Sequence, residues 1–124
     1  MFDYETRLMA EGIAVVSVRG SLDGETRAYF FECVGGLIED GYERIIIECH
    51  GLGFVSSSGL AGLIKARRRA QSRGGKIYLT HLDSAIIEVL QQTKLNSLFA
   101  VYPTTQEILL KLRNVDNSVA TASS

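Results

Sequence analysis

Three consecutive isoleucines near the middle of this chain restrict the folds it can adopt. Ile45, Ile46 and Ile47 follow one another without a polar residue, and such a run is expected of a β-strand that is covered on both faces. Beyond it, residues 60–73 carry apolar side chains at helical spacing and lead into a Gly-Gly pair at 74–75, where a helix commonly ends. A doubly covered strand followed by a helix indicates a layered α/β domain.

Strand-like and helix-like patterns alternate along the rest of the chain. Strands are predicted at residues 3–9, 13–18, 76–80 and 98–102. Helices are predicted at residues 25–39 and 84–93 and from residue 103 onward. The segment 20–24, between the second strand and the first helix, is expected to be a loop. This alternation predicts an α/β sandwich with parallel crossovers, in which a mixed sheet of about four to five strands carries about four helices.

The composition is typical of one globular domain. A chain of 124 residues, 46% hydrophobic and 22% charged, suits a single compact core. Residues 114–124 are polar and small, so we expect the domain to cover residues 1–113 and a disordered tail to follow it. The net charge is −1, which gives no overall field to attract nucleic acid or an anionic membrane.

Several features indicate a cytoplasmic protein. No apolar run approaches the roughly 20 residues that a membrane span requires. The acidic start of the chain, residues 1–5, lacks the basic-then-apolar order of a signal peptide. Cys33 and Cys49 lie in apolar settings and are interpreted as buried thiols in a reducing compartment. Membrane insertion is therefore not expected.

Three serines join the central strand to the helix that follows it. Ser56, Ser57 and Ser58 are predicted to lie where free backbone N–H groups and the positive end of the helix dipole point outward. That position suits a phosphate, and it also suits a serine that merely caps the helix. Ser58 lies nearest the predicted helix, so capping alone is the interpretation for its hydroxyl.

The order of the predicted elements, together with this serine junction, resembles a STAS domain of the anti-sigma factor antagonist type. The resemblance covers residues 3–113. It is carried by residues 20–23, 45–48, 56–60, 74–79, 95–99 and 102–105. No single segment is specific, but their order and spacing are. The resemblance implies one STAS domain over residues 1–113.

The resemblance also implies a function. In that family the junction usually reads Asp-Ser-Ser-Gly, and the serine after the aspartate is phosphorylated, which corresponds to Ser57 here. The unmodified protein would bind an anti-sigma factor that is also a serine kinase, and so free a sigma factor. Phosphorylation breaks that complex, and a PP2C-type phosphatase restores it. The chain would be a substrate rather than an enzyme, without a cofactor, and a monomer or weak dimer.

The partner-binding surface implied by the resemblance surrounds the acceptor serine. It comprises Asp23, Gly53, Phe54, Ser56, Ser57, Ser58, Gly59 and Leu60. Asp23 is included because the family carries an acidic loop beside the switch, after its second strand. From the residues alone, Asp23 is also consistent with a helix N-cap, because it precedes Gly24 and Glu25 and its carboxylate can accept backbone N–H bonds.

Two positions depart from the family pattern. Ser56 stands where the family has the aspartate of the junction, and Glu48 stands where it has a second aspartate, eight residues upstream. The change at Ser56 removes a fixed charge and a hydrogen-bond acceptor beside Ser57. Relatives that lack a normal site act as scaffolds or as subunits of lipid-trafficking transporters. An interaction module that is not phosphorylated is therefore the alternative function.

The helix after the serines is strongly basic. It carries Lys65, Arg73 and the three arginines at 67–69. These side chains form either a contact surface for an acidic patch on a partner or a solvated outer face. A nucleic-acid groove is not favoured, because such grooves often interleave aromatic residues with the basic ones, and this helix has none.

Catalytic and cofactor-binding patterns are weak. His50 and His81 are the only histidines, and they lack the spacing of a metal site. The chain has no Gly-x-Ser-x-Gly elbow of the kind that presents a nucleophilic serine. A dinucleotide fingerprint beginning at Gly51 is incomplete, since Ser56 occupies its third glycine position. A ligand-binding domain with a small pocket is permitted by the fold but has no sequence feature of its own.

Overall fold

The computed structural model describes residues 1–113, in which five strands and four helices follow one another. In chain order these are β1 (Phe2–Leu8), β2 (Ile13–Leu22), α1 (Arg27–Glu39), β3 (Arg44–Val55), α2 (Ser57–Ser72), β4 (Lys76–Thr80), α3 (Ser84–Gln92) and β5 (Ala100–Tyr102). A last helix, α4, covers residues 105–113. The tail that we expected over residues 114–124 lies outside the described residues.

The strands form one mixed sheet in the order β1-β2-β3-β4-β5. β1 is antiparallel to β2, whereas β2, β3, β4 and β5 run parallel to one another. Each parallel pair is joined by a helix, since parallel neighbours need a long crossover connection. The predicted α/β sandwich, with a mixed sheet of five strands and four helices, is confirmed.

Helices cover both faces of the sheet. The larger core lies under α1, α2 and α3, and it includes Phe30, Leu63 and Leu90. The smaller core lies under α4, whose Ile108 and Leu112 pack on the sheet. The isoleucine run serves both cores: Ile45 and Ile47 belong to the larger one and Ile46 to the smaller one, each at most 1% exposed. This explains why three consecutive positions of one strand are all apolar.

Two strands are longer than the sequence predicts. The expected loop at residues 20–24 is wrong in its first part, because β2 continues to Leu22. β3 likewise continues to Val55. Its register against β2 shifts between Ser17 and Arg19 and again between Gly20 and Ser21, so β3 carries two extra residues as bulges.

A close approach between the two strands requires a glycine in the extended part of β3. A Cβ atom at Gly51 would lie 2.6 Å from Cγ of Arg19 and 2.9 Å from the carbonyl oxygen of Val18. A glycine in a strand often marks such an approach. The extension carries the chain to the point where α2 begins, at Ser57 rather than near residue 60.

Candidate functional site

The ends of β2 and β3 bring the two predicted parts of the site together. Leu22 and Val55 form the last register pair of the two strands. The N–H of Ser56 then donates to the carbonyl oxygen of Leu22 at 3.0 Å. Because both strands end at the same edge of the sheet, the residues after β2 and the serines after β3 lie side by side.

Ser56 is the residue that caps α2. Its backbone is extended, with φ −85° and ψ 174°, and its side chain accepts a hydrogen bond from the N–H of Gly59 at 3.1 Å. This is the geometry of an N-cap serine. The interpretation of Ser58 as the capping residue is therefore wrong. Ser58 instead lies in the first turn, half-buried, and a Cβ atom at Gly24 would lie 3.6 Å from its Cβ and Oγ atoms.

Ser57 is the first residue of α2, and its side chain is exposed. Within residues 1–113, its hydroxyl takes part in no hydrogen bond. The first turn of α2 contains no acidic residue, so no carboxylate of the helix itself offsets the partial positive charge of its start. The arrangement can present a hydroxyl to a visiting protein and can stabilise a negative group attached there.

The other predicted partner-binding residues differ in their exposure. Gly53 is exposed, and Phe54 is 55% exposed although its side chain is large and apolar. Leu60 is only 7% exposed and belongs to the larger core. Gly59 is buried, and a Cβ atom there would lie 2.1 Å from the carbonyl oxygen of Leu22. Residues 53, 54 and 57 are thus the exposed members of the predicted set, while residues 59 and 60 are buried where α2 packs against the sheet.

Asp23 lies in the turn that packs on Ser58, and its carboxylate is engaged within that turn. It accepts hydrogen bonds from the N–H groups of Glu25 at 2.9 Å and Thr26 at 3.1 Å. Desolvation acts to raise the pKa of Asp23, but these two hydrogen bonds outweigh it and hold the pKa below its usual value. Asp23 therefore binds backbone N–H groups, but the N-cap interpretation is wrong, because α1 begins at Arg27 and its N-cap residue is Thr26. The turn that holds Asp23 also lies next to the junction.

A polar network that the sequence did not indicate surrounds Glu48. Glu48 is 7% exposed and accepts hydrogen bonds from Ser17, Thr105 and Arg7, the last at 3.1 Å. The hydroxyl of Thr105 also lies 3.0 Å from that of Thr80. Burial acts to raise the pKa of Glu48, but the hydroxyl donors and the nearby positive charge lower it below the ordinary value. The network ties α4 to four strands, β1 to β4, on the face opposite α2.

The two histidines, distant in sequence, are neighbours in the fold. The ring centroids of His50 and His81 are 5.4 Å apart, and Nε2 of His81 accepts a hydrogen bond from the N–H of Thr105 at 3.3 Å. Among the described residues, no group of three or more histidine, cysteine or acidic side chains could hold a metal ion.

The two cysteines differ in their surroundings. Cys33 is half-buried, whereas Cys49 is fully buried, and burial together with the charge of Glu48 raises the pKa of Cys49 to about 12. Cys49 therefore stays a protonated thiol. No helix within residues 1–113 is long and apolar enough to cross a membrane.

Comparison with known proteins gives one family and several structures. Residues 8–108 match the family model of the STAS domain. An anti-sigma factor antagonist from Mycobacterium paratuberculosis is 23% identical, with a TM-score of 0.79, and the match covers 91% of this chain and 95% of that one. The Bacillus cell fate determinant SpoIIAA in its phosphorylated form is 19% identical, with a TM-score of 0.69, over 89% of this chain and 99% of that one.

A third structure comes from a different functional group. A sulfate transporter family protein from Wolinella succinogenes is 12% identical, with a TM-score of 0.76, and the match covers 90% of this chain and 93% of that one. These structures share the order of strands and helices with this chain over nearly their whole length. At such low identities, the similarity concerns the fold.

Proposed function

This chain belongs to the STAS domain family, and on that premise we propose that it is a partner-switching protein of the anti-sigma factor antagonist type. It binds an anti-sigma factor that is also a serine kinase, and phosphorylation of Ser57 regulates the binding. The observation that carries this proposal is the exposed hydroxyl of Ser57 at the start of α2, which has no hydrogen-bond partner within residues 1–113. Its site of action is the cytoplasm, where such a kinase meets a sigma factor.

The unmodified surface is suited to binding a protein. Phe54, on the strand that leads to Ser57, offers an exposed aromatic side chain, and aromatic residues are frequent anchors in protein interfaces. The Ser57 hydroxyl is neutral and small, so a partner can cover it at little cost in desolvation. In this state the protein occupies the anti-sigma factor, and the sigma factor is released.

Phosphorylation reverses the balance. The Ser57 oxygen attacks the γ-phosphorus of ATP; the new O–P bond forms as the bond to ADP breaks, and the kinase takes the hydroxyl proton. The product carries nearly two negative charges in the middle of the docking surface. The start of α2 stabilises that charge in the free protein, whereas covering it with a partner removes its hydration. A PP2C-type phosphatase hydrolyses the ester with water and restores the binding state.

The residue before the acceptor separates this chain from the usual pattern. Ser56 caps α2 through its side chain, and an aspartate at the same position would cap it about equally well. The exchange therefore preserves the start of the helix but removes a charge beside Ser57. A kinase that recognises that carboxylate would act poorly on this chain.

That consideration supports a second candidate function, an interaction module that is not phosphorylated. Such a module would be a signalling scaffold or a transporter-associated subunit. The structural similarity to a sulfate transporter family protein is in accord with it. The same exposed surface, residues 53, 54 and 57, would bind its partner constitutively.

One experiment distinguishes the two candidates. The protein is incubated with a candidate anti-sigma kinase and ATP, and its intact mass is then measured. Under the switch proposal the wild type gains one phosphate, Ser57→Ala gains none, and the neighbouring control Ser58→Ala gains one. A kinase that binds the protein tightly but adds no phosphate would favour the constitutive module. Phosphate on Ser58→Ala and Ser57→Ala alike would overturn the assignment of the acceptor.

A further inference from the structure

An open groove runs between α1 and α2 on the outside of the domain. One part is a hollow of about 820 Å³ lined by Ala28, Phe31, Gly35 and Lys65 among others. A second hollow, of about 450 Å³, shares Ala28, Phe31 and Lys65 with the first and continues toward Ala61. Because the two hollows share these residues, they form one groove, which we call the α1–α2 groove.

Small residues leave the α1–α2 groove unfilled by the chain itself. Ala28 and Ala61 are exposed, one on each helix, and Gly35 adds no side chain. The floor is the half-buried ring of Phe31, over which Nζ of Lys65 lies 4.4 Å from the centroid. The floor is therefore an aromatic ring with the flexible Lys65 side chain over it.

The rim of the groove is basic. Glu39 contacts Arg69 and also accepts a hydrogen bond from Nη2 of Arg73 at 2.7 Å. The hydrogen bond from Arg69, with the positive charge of both arginines, holds the pKa of Glu39 below its usual value, so this acid stays paired with two cations. Three further cations, at residues 27, 65 and 68, line the groove against one further acid, Glu32.

This excess of positive charge is local. Around the groove, five basic residues meet two acidic ones, whereas the whole chain has a net charge of −1. The rest of the protein is therefore acidic, and the α1–α2 groove is a basic surface set into it. Complementary charge steers a partner and fixes its register on such a surface.

We propose that the α1–α2 groove docks an acidic amphipathic helix of a partner protein. The groove follows α1, whose 13 residues span about 20 Å, the length of a helix of three to four turns. A ridge of apolar side chains would lie on Phe31 between the two alanines. Carboxylates flanking that ridge would meet Lys65, Arg68 and Arg27. This is the helix-in-groove mode of recognition.

Nucleic acid fits the same groove less well. A phosphate backbone needs cations spaced along its path, and Glu32 and the paired Glu39 interrupt that path. Docking in the α1–α2 groove does not involve Ser57 and goes beyond the proposed switch. A negative result for the groove would therefore leave the phosphorylation proposal unaffected.

The test uses the full chain and a synthetic peptide. A fluorescein-labelled helical peptide of about 14 residues, with leucines on one side flanked by glutamates, is titrated with the protein, and anisotropy gives Kd. We expect the double variant Lys65→Glu/Arg68→Glu to weaken binding by at least about tenfold, because like charges then face one another. Arg113→Glu, with the same kind of charge reversal on α4, is the control and should change Kd less than about twofold.

Two comparisons locate the binding and exclude other ligands. Hydrogen exchange of the wild type with the peptide should slow over residues 27–39 and 57–72. A twin peptide with lysine for every glutamate should not bind. The proposal is overturned if the double variant binds the peptide as tightly as the Arg113→Glu control does, or if the peptide slows hydrogen exchange in other segments instead. It is also overturned if single-stranded DNA displaces the acidic peptide when the concentration of DNA phosphates equals that of peptide carboxylates.

Discussion

Gly59 donates its backbone N–H to the side-chain oxygen of Ser56 at 3.1 Å, and this bond engages the first serine of the junction as the helix cap. Within the described chain neither Ser57 nor Ser58 has a hydrogen-bond partner for its hydroxyl, and Ser58 is half-buried. Ser57 is then the exposed hydroxyl at the start of α2. A helix cap and a modification site are adjacent residues with separate roles.

Charge at position 57 should control binding of the cognate anti-sigma kinase. We expect Ser57→Asp to weaken binding by at least about tenfold, because a fixed charge in a docking surface is desolvated on binding. Ser57→Ala should bind within about threefold of the wild type and should not be phosphorylated. Isothermal titration calorimetry measures both affinities. Ser97→Asp, at another exposed serine, is the charge-matched control, and equal affinities for all three variants would refute the switch.

Removing the cap should destabilise the fold without touching the acceptor. Ser56→Ala is expected to lower the free energy of unfolding by about 1 kcal/mol, the usual effect of losing an N-cap serine. Ser57→Ala removes an exposed hydroxyl that no other described residue contacts by a hydrogen bond, and it should change the free energy of unfolding by about 0.5 kcal/mol or less. Urea unfolding monitored by circular dichroism gives both values. The assignment of Ser56 as the cap fails if Ser57→Ala or Ser58→Ala is the more destabilising variant.

Ser56→Asp restores the family residue and tests the alternative function directly. The aspartate should keep the cap and place a negative charge next to Ser57. If the missing carboxylate is what limits the kinase, this variant is phosphorylated faster than the wild type in a time course of intact mass. Stability should remain within about 0.5 kcal/mol of the wild type. Equal phosphorylation rates for Ser56→Asp and the wild type would show that the kinase does not recognise the side chain at this position.

The glycine in the first turn of α2 should tolerate no side chain. A Cβ atom at Gly59 would lie 2.1 Å from the carbonyl oxygen of Leu22 and 2.7 Å from its carbonyl carbon, so α2 would have to move away from β2. We expect Gly59→Ala to cost more than about 2 kcal/mol. Gly36→Ala is the matched control on α1, where an added Cβ atom meets nothing within 4 Å.

At Gly36 the same substitution should stabilise the protein by about 0.5–1 kcal/mol, because alanine favours a helix over glycine. Thermal unfolding of the two variants should therefore shift in opposite directions. A similar shift in unfolding temperature for Gly59→Ala and Gly36→Ala would mean that α2 does not pack closely against the end of β2.

The fold was predictable because its main signals are local. A run of three isoleucines reports a strand covered on both faces without any knowledge of the covering helices. The extension of β3 to Val55 was not predictable in the same way, since Gly51 and Gly53 suggest a turn. Gly51 is instead required by the neighbouring strand, at Arg19, and this constraint comes from tertiary contact.

The candidate site was likewise predictable from the sequence only in part. Its position after the central strand followed from the serine cluster and the helical pattern beyond it. The identity of the cap did not, because three identical side chains in a row offer the same chemistry, and only the extended backbone at Ser56 selects one. The partners of Glu48 were hidden for a related reason: Thr105 lies 57 residues further along the chain.

The Glu48 network should make stability depend on pH. The network lowers the pKa of Glu48 in the folded protein below the ordinary value of 4.5, so the unfolded chain binds more protons at acidic pH. The stabilisation is then fully present above pH 4.5 or so and is lost as the pH falls through the lower, folded-state pKa. Glu48→Gln should lower the free energy of unfolding at pH 7 by about 1–3 kcal/mol, because Arg7 and two hydroxyls lose a charged acceptor.

The difference between wild type and Glu48→Gln should therefore shrink as the pH falls from 7 toward 3, since the wild-type carboxyl becomes neutral as well. Urea unfolding at several pH values measures this difference. Glu107→Gln, which removes an exposed carboxylate on α4, is the control and should show a small, nearly constant difference. A gap between wild type and Glu48→Gln that stays the same at all pH values would mean that the buried carboxyl is not ionised in the folded protein, and the charged network would have to be abandoned.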